Sequence, residues 1–337
     1  MSSAPTPDEI WKDARWLAQA VDPRAGLVRF VELTAEDYRR ASFLDDRMFN
    51  EQRANHLLEW AGVAKAMPPT VRADARWIFH IGHVGSTLIA RLLGELKNAL
   101  SVREPRALRD LTFFPPGVRS NFVPAVRALM SRTFEADQVA VVKATSLVSE
   151  IATELTARTD KALYLYTTPQ AYISSILAGE NSRKELAGLA DLRQQRLASR
   201  GMSLPQPRND ADAAALAWAC EMTSLEAADG ENCLWADFDG LLSNLEPSVQ
   251  KITDHFGIAA SAEQVHAIAN GPILRRYSKA TEYEYSPQLR RDLLNEAHQS
   301  NRVEIESALA MLDAASETAP LLRKALDRAQ EPAVPES

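Results

Sequence analysis

The sequence predicts an α/β protein built on a central parallel sheet, and three observations predict it. Residues 76–93 read as a buried strand, a tight glycine turn and the opening of an amphipathic helix. Short apolar runs recur at Leu100-Ser101-Val102 and at residues 138–142, 162–166 and 232–235. Helical or connecting sequence separates each run from the next, which implies parallel pairing with ligands beyond the carboxyl ends of the strands.

In the first stretch Trp77-Ile78-Phe79-His80-Ile81 is the strand, and Leu88, Ile89, Leu92 and Leu93 give the helix its apolar face, with Arg91 and Glu95 outward. Gly82, His83, Val84, Gly85, Ser86 and Thr87 lie between them. A turn of this kind points backbone N–H groups, two hydroxyls and the positive end of a helix at one spot, which suits phosphate or sulfate. The nucleoside-triphosphate version needs Gly-x-x-x-x-Gly-Lys-Ser/Thr. His80 stands at its first glycine and Ser86 at its lysine, so an ordinary triphosphate is not expected.

Upstream, residues 9–21 place Ile10, Trp11, Ala14, Leu17 and Ala18 on one helical face. A short apolar run follows at 27–33, Thr34 opens an N-capped turn, and residues 42–46 and 50–61 also look helical. Residues 1–75 are therefore expected to be a helical extension packed on the core, without a motif tied to chemistry.

Downstream, Leu100-Ser101-Val102 leads into Arg103-Glu104-Pro105, where the proline biases Glu104 away from helix. One reading is a surface carboxylate paired with Arg103 or Arg106; the other is a carboxylate held at the carboxyl end of the strand, near the glycine loop. Residues 138–142 end in Lys143, and a lysine there either reaches solvent or meets an anion. Thr167-Thr168-Pro169 follows the next strand, and Ser175 comes eight residues after Thr167. The charged stretch 181–212, with Arg193, Arg196 and Arg200, suits a lid over the site or a solvated helical hairpin. Residues 211–227 are a helix and 232–235 a strand, followed by the acidic turn Asp237-Phe238-Asp239 and a helix at 248–256 closed by Gly257. Amphipathic helices fill 289–312 and 319–329, and the tail from 330 is expected to be disordered.

The order of these pieces resembles the sulfotransferase family, over roughly residues 76–279. The loop keeps the family's Gly-Ser/Thr-Thr core, with His83 where the loop cation would stand. Glu104, nineteen residues after Gly85, matches the general base of the tyrosylprotein branch, and Lys143 matches a lysine that helps hold the transferring sulfuryl group. Pro169 and Ser175 match a 3′-phosphate motif in which Thr167 replaces the family's arginine. Arg183, Lys184, Arg275 and Arg276 are candidate substitutes for that missing cation. Residues 232–257 resemble the family's strand, acidic turn and helix, and Ser278-Lys279 its late loop.

The resemblance implies a P-loop, nucleoside-triphosphate-hydrolase-like three-layer fold with a five-stranded parallel sheet spanning residues 76–315, and a C-terminal helix and tail at 316–337. It implies sulfuryl transfer from 3′-phosphoadenosine 5′-phosphosulfate (PAPS) to a hydroxyl or amine. Glu104, Lys143, His83 and Ser278 would be catalytic, and Gly82 to Thr87, Thr167, Ser175, Ser278 and Lys279 would bind the donor. The missing loop cation and arginine leave open a non-catalytic partner protein of the same fold, and a phosphotransferase with an atypical loop is a further alternative.

Composition narrows the field. A net charge of -7 argues against a general nucleic-acid binder, and no apolar run approaches the ~20 residues of a membrane span. Two cysteines, Cys220 and Cys233, are too few for a disulfide framework and are not spaced as metal ligands, so a metal-free cytoplasmic protein is expected. The acceptor, a small molecule or a peptide, and the oligomeric state are left open by the sequence.

Overall fold

Thr6 opens the first helix, Pro7–Lys12, through a capping box in which its side chain accepts from the N–H of Glu9 and the Glu9 carboxylate accepts from Thr6. The helix stops at Asp13, and the chain then runs as strand β1 (Trp16–Asp22), which pairs antiparallel with β2 (Leu27–Glu32); β2 pairs antiparallel with β3 (Asn55–Glu59). The computed structural model describes residues 3–50, 53–275 and 286–330.

This small sheet corrects the expectation of a helical extension. Trp16, Leu17 and Ala18 are buried in succession because both faces of β1 are covered, and a run apolar on both faces imitates a helical stripe. In β3 the pattern is instead an alternation of exposed and half-buried positions, short enough to be lost in helical noise.

Five further strands form the central sheet: β4 (Arg76–His80), β5 (Ala99–Arg103), β6 (Val139–Lys143), β7 (Ala162–Tyr166) and β8 (Cys233–Asp237). Their order is β5-β6-β4-β7-β8 and every pairing is parallel, so the predicted α/β class with a central five-stranded parallel sheet is the observed one. The chain steps to one side from β4 to β5 and then works back across to β8. With right-handed crossovers this reversal puts the helix Ser86–Leu93 on one face and the following connections on the other. The reversal also opens a crevice beyond β4, and the glycine loop sits in it. Among the described residues no helix is long and apolar enough to cross a membrane.

The N-terminal unit is tied to this core by buried polar contacts. The Leu44 N–H donates to the Arg103 carbonyl at 2.7 Å, which carries residues 43–47 to the carboxyl end of β5. Arg132, 6% exposed, donates to the carbonyls of Asp13 (2.9 Å), Trp16 (2.6 Å), Leu129 (2.9 Å) and Ile10. Burial pulls its pKa down to about 10, so these carbonyls compensate a desolvated cation. Arg132→Ala should destabilise the protein by about 3 kcal/mol, on the scale of hydrogen bonds to charged groups. Urea denaturation would show this as a lower midpoint, and proteolysis should cut first within residues 3–50.

Candidate active site

A cavity of about 720 Å³ lies beyond the carboxyl ends of β4, β5 and β6. Its floor includes His80, Gly82, His83, Glu104 and Thr145, and its apolar wall includes Leu147, Ile176, Leu186 and Leu189. Leu186 comes from the helix Glu180–Ala187 and Leu189 from the turn before the helix Ala190–Ser199, so the stretch read as a lid or hairpin borders the cavity.

Glu104 and Lys143 meet here. Arg103 and Lys143 are register partners at the ends of β5 and β6, and Glu104, the next residue, donates its N–H to the Lys143 carbonyl at 2.7 Å. Lys143 is fully buried and its Nζ donates to Glu104 Oε1; Glu104 is 7% exposed and its Oε2 accepts from Arg47 at 3.1 Å. Of the readings open in the sequence, the lysine meets an anion, and the glutamate pairs with Lys143 and Arg47 rather than with Arg103 or Arg106. Glu104 adopts a positive φ of 54°, a conformation that costs a non-glycine residue about 1–3 kcal/mol. Strain at a carboxylate that faces a cavity is the pattern of a functional position.

The loop folds as a run of positive φ angles, 89° at Gly82, 56° at His83 and 59° at Gly85. His80 stands at the first-glycine position for a structural reason. Its Nδ1 accepts from the Gly82 N–H at 3.0 Å and its Nε2 donates to the Ala144 carbonyl at 2.9 Å, which selects the neutral Nε2–H tautomer and pins the start of the loop to the chain after β6. His83 lies edge-on to Tyr172, ring centroids 6.2 Å apart. Ser86 and Thr87 are buried at the helix start, and Thr87 Oγ1 has no hydrogen-bond partner among the described residues. Gly85 is required twice over, by its φ and by Phe238, whose ring carbons would lie 2.0 Å from a Cβ there.

Thr167 and Ser175 stand apart from the cavity. Thr167 is fully buried at the end of β7 and its hydroxyl donates to Asp239 Oδ2 at 2.9 Å; the Ser175 hydroxyl donates to the Tyr172 carbonyl of its own helix at 2.7 Å. The proposed replacement cations do not gather there. Arg183 bonds the Leu177 carbonyl, Lys184 bonds Glu180, and the side chains of Arg275 and Arg276 lie outside the described residues. The arginine that reaches this place is Arg290, from the helix Pro287–Ser300, which packs on the helix Pro169–Leu177. Its Nε donates to Asp239 Oδ1 at 3.1 Å, its guanidinium lies 4.9 Å from the Phe238 ring centroid, and its Nη2 is buried without a partner among the described residues. Ser278 and Lys279 lie outside the described residues.

Sequence reading missed Arg47 and Arg290. Arg47 sits in the N-terminal unit and Arg290 more than a hundred residues after Thr167, and neither belongs to a motif. Arg193, Arg196 and Arg200 turn inward to a buried network with Glu150 and Glu221. Burial raises the Glu221 pKa and pushes the Cys220 thiol up to about 12, which leaves that cysteine unreactive.

Solved structures resemble the chain, three sulfotransferases among them. A sulfotransferase domain from the curacin biosynthetic pathway is 11% identical, with 72% of this chain and 99% of that one covered at a TM-score of 0.38. A mouse sulfotransferase complexed with PAP is 10% identical (76% and 89% covered, TM-score 0.37), and a sulfotransferase domain from the Synechococcus PCC 7002 olefin synthase is 15% identical (66% and 86%, TM-score 0.36). These values are low, and no activity passes to this chain on their account. No family model and no curated protein matches the chain.

Two stability measurements probe the site without any ligand. Lys143→Met alone leaves the Glu104 carboxylate buried beside an apolar side chain and should cost about 3–5 kcal/mol, while Lys143→Met with Glu104→Gln should cost clearly less; a denaturation double-mutant cycle reads the difference. Gly85→Ala should cost at least ~2 kcal/mol from strain and overpacking, and Phe238→Ala in the same chain should recover part of it.

Proposed function

We propose that this chain is a group transferase of the sulfotransferase kind, moving a sulfuryl group from PAPS to a hydroxyl or amine seated in the cavity. The observation that carries the reading is Glu104, buried and at positive φ, which lines the cavity beside the glycine loop and is paired with the fully buried Lys143. The residues fit the donor at two places. At the loop, the backbone of Gly82 to Thr87 and the unpartnered Thr87 hydroxyl would hold its 5′ end; beside Thr167, the unpartnered Nη2 of Arg290 would supply the missing cation. When bound, PAPS supplies a sulfuryl group on an anionic leaving group.

Glu104 is the base in this reading. Lys143 and Arg47 orient its carboxylate from either oxygen, and the remaining lone pairs can accept the acceptor's proton. Lys143, paired with Glu104, would add a positive charge beside the base as negative charge develops. His83, which lines the cavity on the loop, would donate to the departing group.

One observation favours a second reading. Asp239, a carboxylate, holds the Thr167 hydroxyl at the place where the resembling family has an arginine, and a site built that way suits a non-catalytic binding protein.

Calorimetric titration with 3′-phosphoadenosine 5′-phosphate (PAP), with ATP as control, separates the two. The transferase reading expects PAP to bind and ATP not to, with roughly tenfold or greater weakening in Arg290→Ala, since a charged phosphate contact is lost. In transfer assays Glu104→Gln should lower turnover by about 100-fold or more with PAP affinity unchanged. Absence of PAP binding, or full turnover in Glu104→Gln, would sink the reading.

A further inference from the structure

The charges around the cavity are almost all satisfied by the protein itself. Arg47 donates to Asp45 and Glu104, Arg106 to Asp46 and Asp110, and Arg193 to Glu221. Asp110 also accepts from the Val21 N–H at 3.1 Å. Arg109 differs. It lines the cavity on the short helix Arg106–Leu111, half-buried, and among the described residues its guanidinium makes no hydrogen bond or ion pair. The carboxylates whose fields it feels, Asp45 and Asp110, are those already held by Arg47 and Arg106. Five N–H donors in a planar fork thus face a space large enough for a small organic molecule. Facing it is the apolar wall of Leu147, Ile176, Leu186 and Leu189.

We propose that the cavity accepts an amphipathic organic acid, with its carboxylate on Arg109, its apolar body against that wall, and its hydroxyl turned to Glu104. A guanidinium fork matches a carboxylate bidentately, and a carboxylate there completes the one arginine of the cavity lining that has no ion pair among the described residues, rather than competing with an existing pair. The apolar wall selects against fully polar acids, because their hydroxyls would be desolvated there without partners. The proposal rests on the transferase reading only for the role of the hydroxyl; binding of the acid does not require a donor.

The test is calorimetry of the full chain without nucleotide, using 4-hydroxyphenylacetate and its neutral counterpart 4-hydroxyphenylacetamide. The acid should bind about tenfold or more tightly than the amide, the worth of one charge-assisted contact. Arg109→Gln should abolish this preference while leaving amide affinity unchanged, and Arg109→Lys should keep part of it. Equal affinity for the two probes, binding of neither, or a preference that survives in Arg109→Gln would overturn the proposal. Should Arg109→Gln fail to fold, the wild-type preference and its loss in Arg109→Lys at raised salt decide the matter, since a charge contact is screened and an apolar one is not. PAP titration of the same protein reports separately on the transferase reading, so failure of either is distinguishable from failure of the other.

Discussion

A lysine and a glutamate removed from water at the ends of adjacent parallel strands set the terms for the rest of the molecule. Either charge alone would be costly in that position; together, with Arg47 completing the set, they are compensated. The pair constrains more than itself. It requires β5 and β6 to end in register, it holds Glu104 in a left-handed conformation, and it requires the N-terminal unit to deliver Arg47. The backbone bond from Leu44 to Arg103 is what makes that delivery reproducible. A small antiparallel sheet with no chemistry of its own thereby becomes part of a site on the larger sheet.

The loop beyond β4 shows the same economy. His80 uses both ring nitrogens to hold Gly82 and Ala144, so one of the two residues that break the nucleoside-triphosphate pattern also fixes the loop. Phe238 fills the space beside Gly85 and carries Arg290 on its outer side, and Arg290 in turn pairs with Asp239. A substitution at Gly85 would therefore be felt at the ends of β7 and β8. Thr167 is understandable in this setting: with Asp239 and Arg290 already paired, a second arginine would be surplus charge, and a small hydroxyl closes the network.

Charges of both signs are concentrated around the cavity. Arg47, Arg106, Arg109 and Arg193 all border one cavity, and three of them are neutralised by neighbouring carboxylates. Pairing on that scale fixes side chains in place, which suits a cavity that must position a ligand. It also makes the one guanidinium outside the pairs the natural place for a ligand's charge.

What the sequence by itself determined is what depends on local pattern. Strong apolar runs marked the five core strands, and a glycine-rich turn before an amphipathic helix marked the loop. Glu104 and Lys143 could each be singled out because each stands at or just past the end of such a run, which gave its position along the sheet but not that the two would pair. The N-terminal strands were misread because burial on both faces of β1 erases the alternation that distinguishes strand from helix. Only the tertiary structure decided which charges meet. Arg47, Asp239 and Arg290 reach the site from segments far apart in the chain, and a long-range ion pair leaves no periodic trace: its partners are chosen by the packing of the elements that carry them.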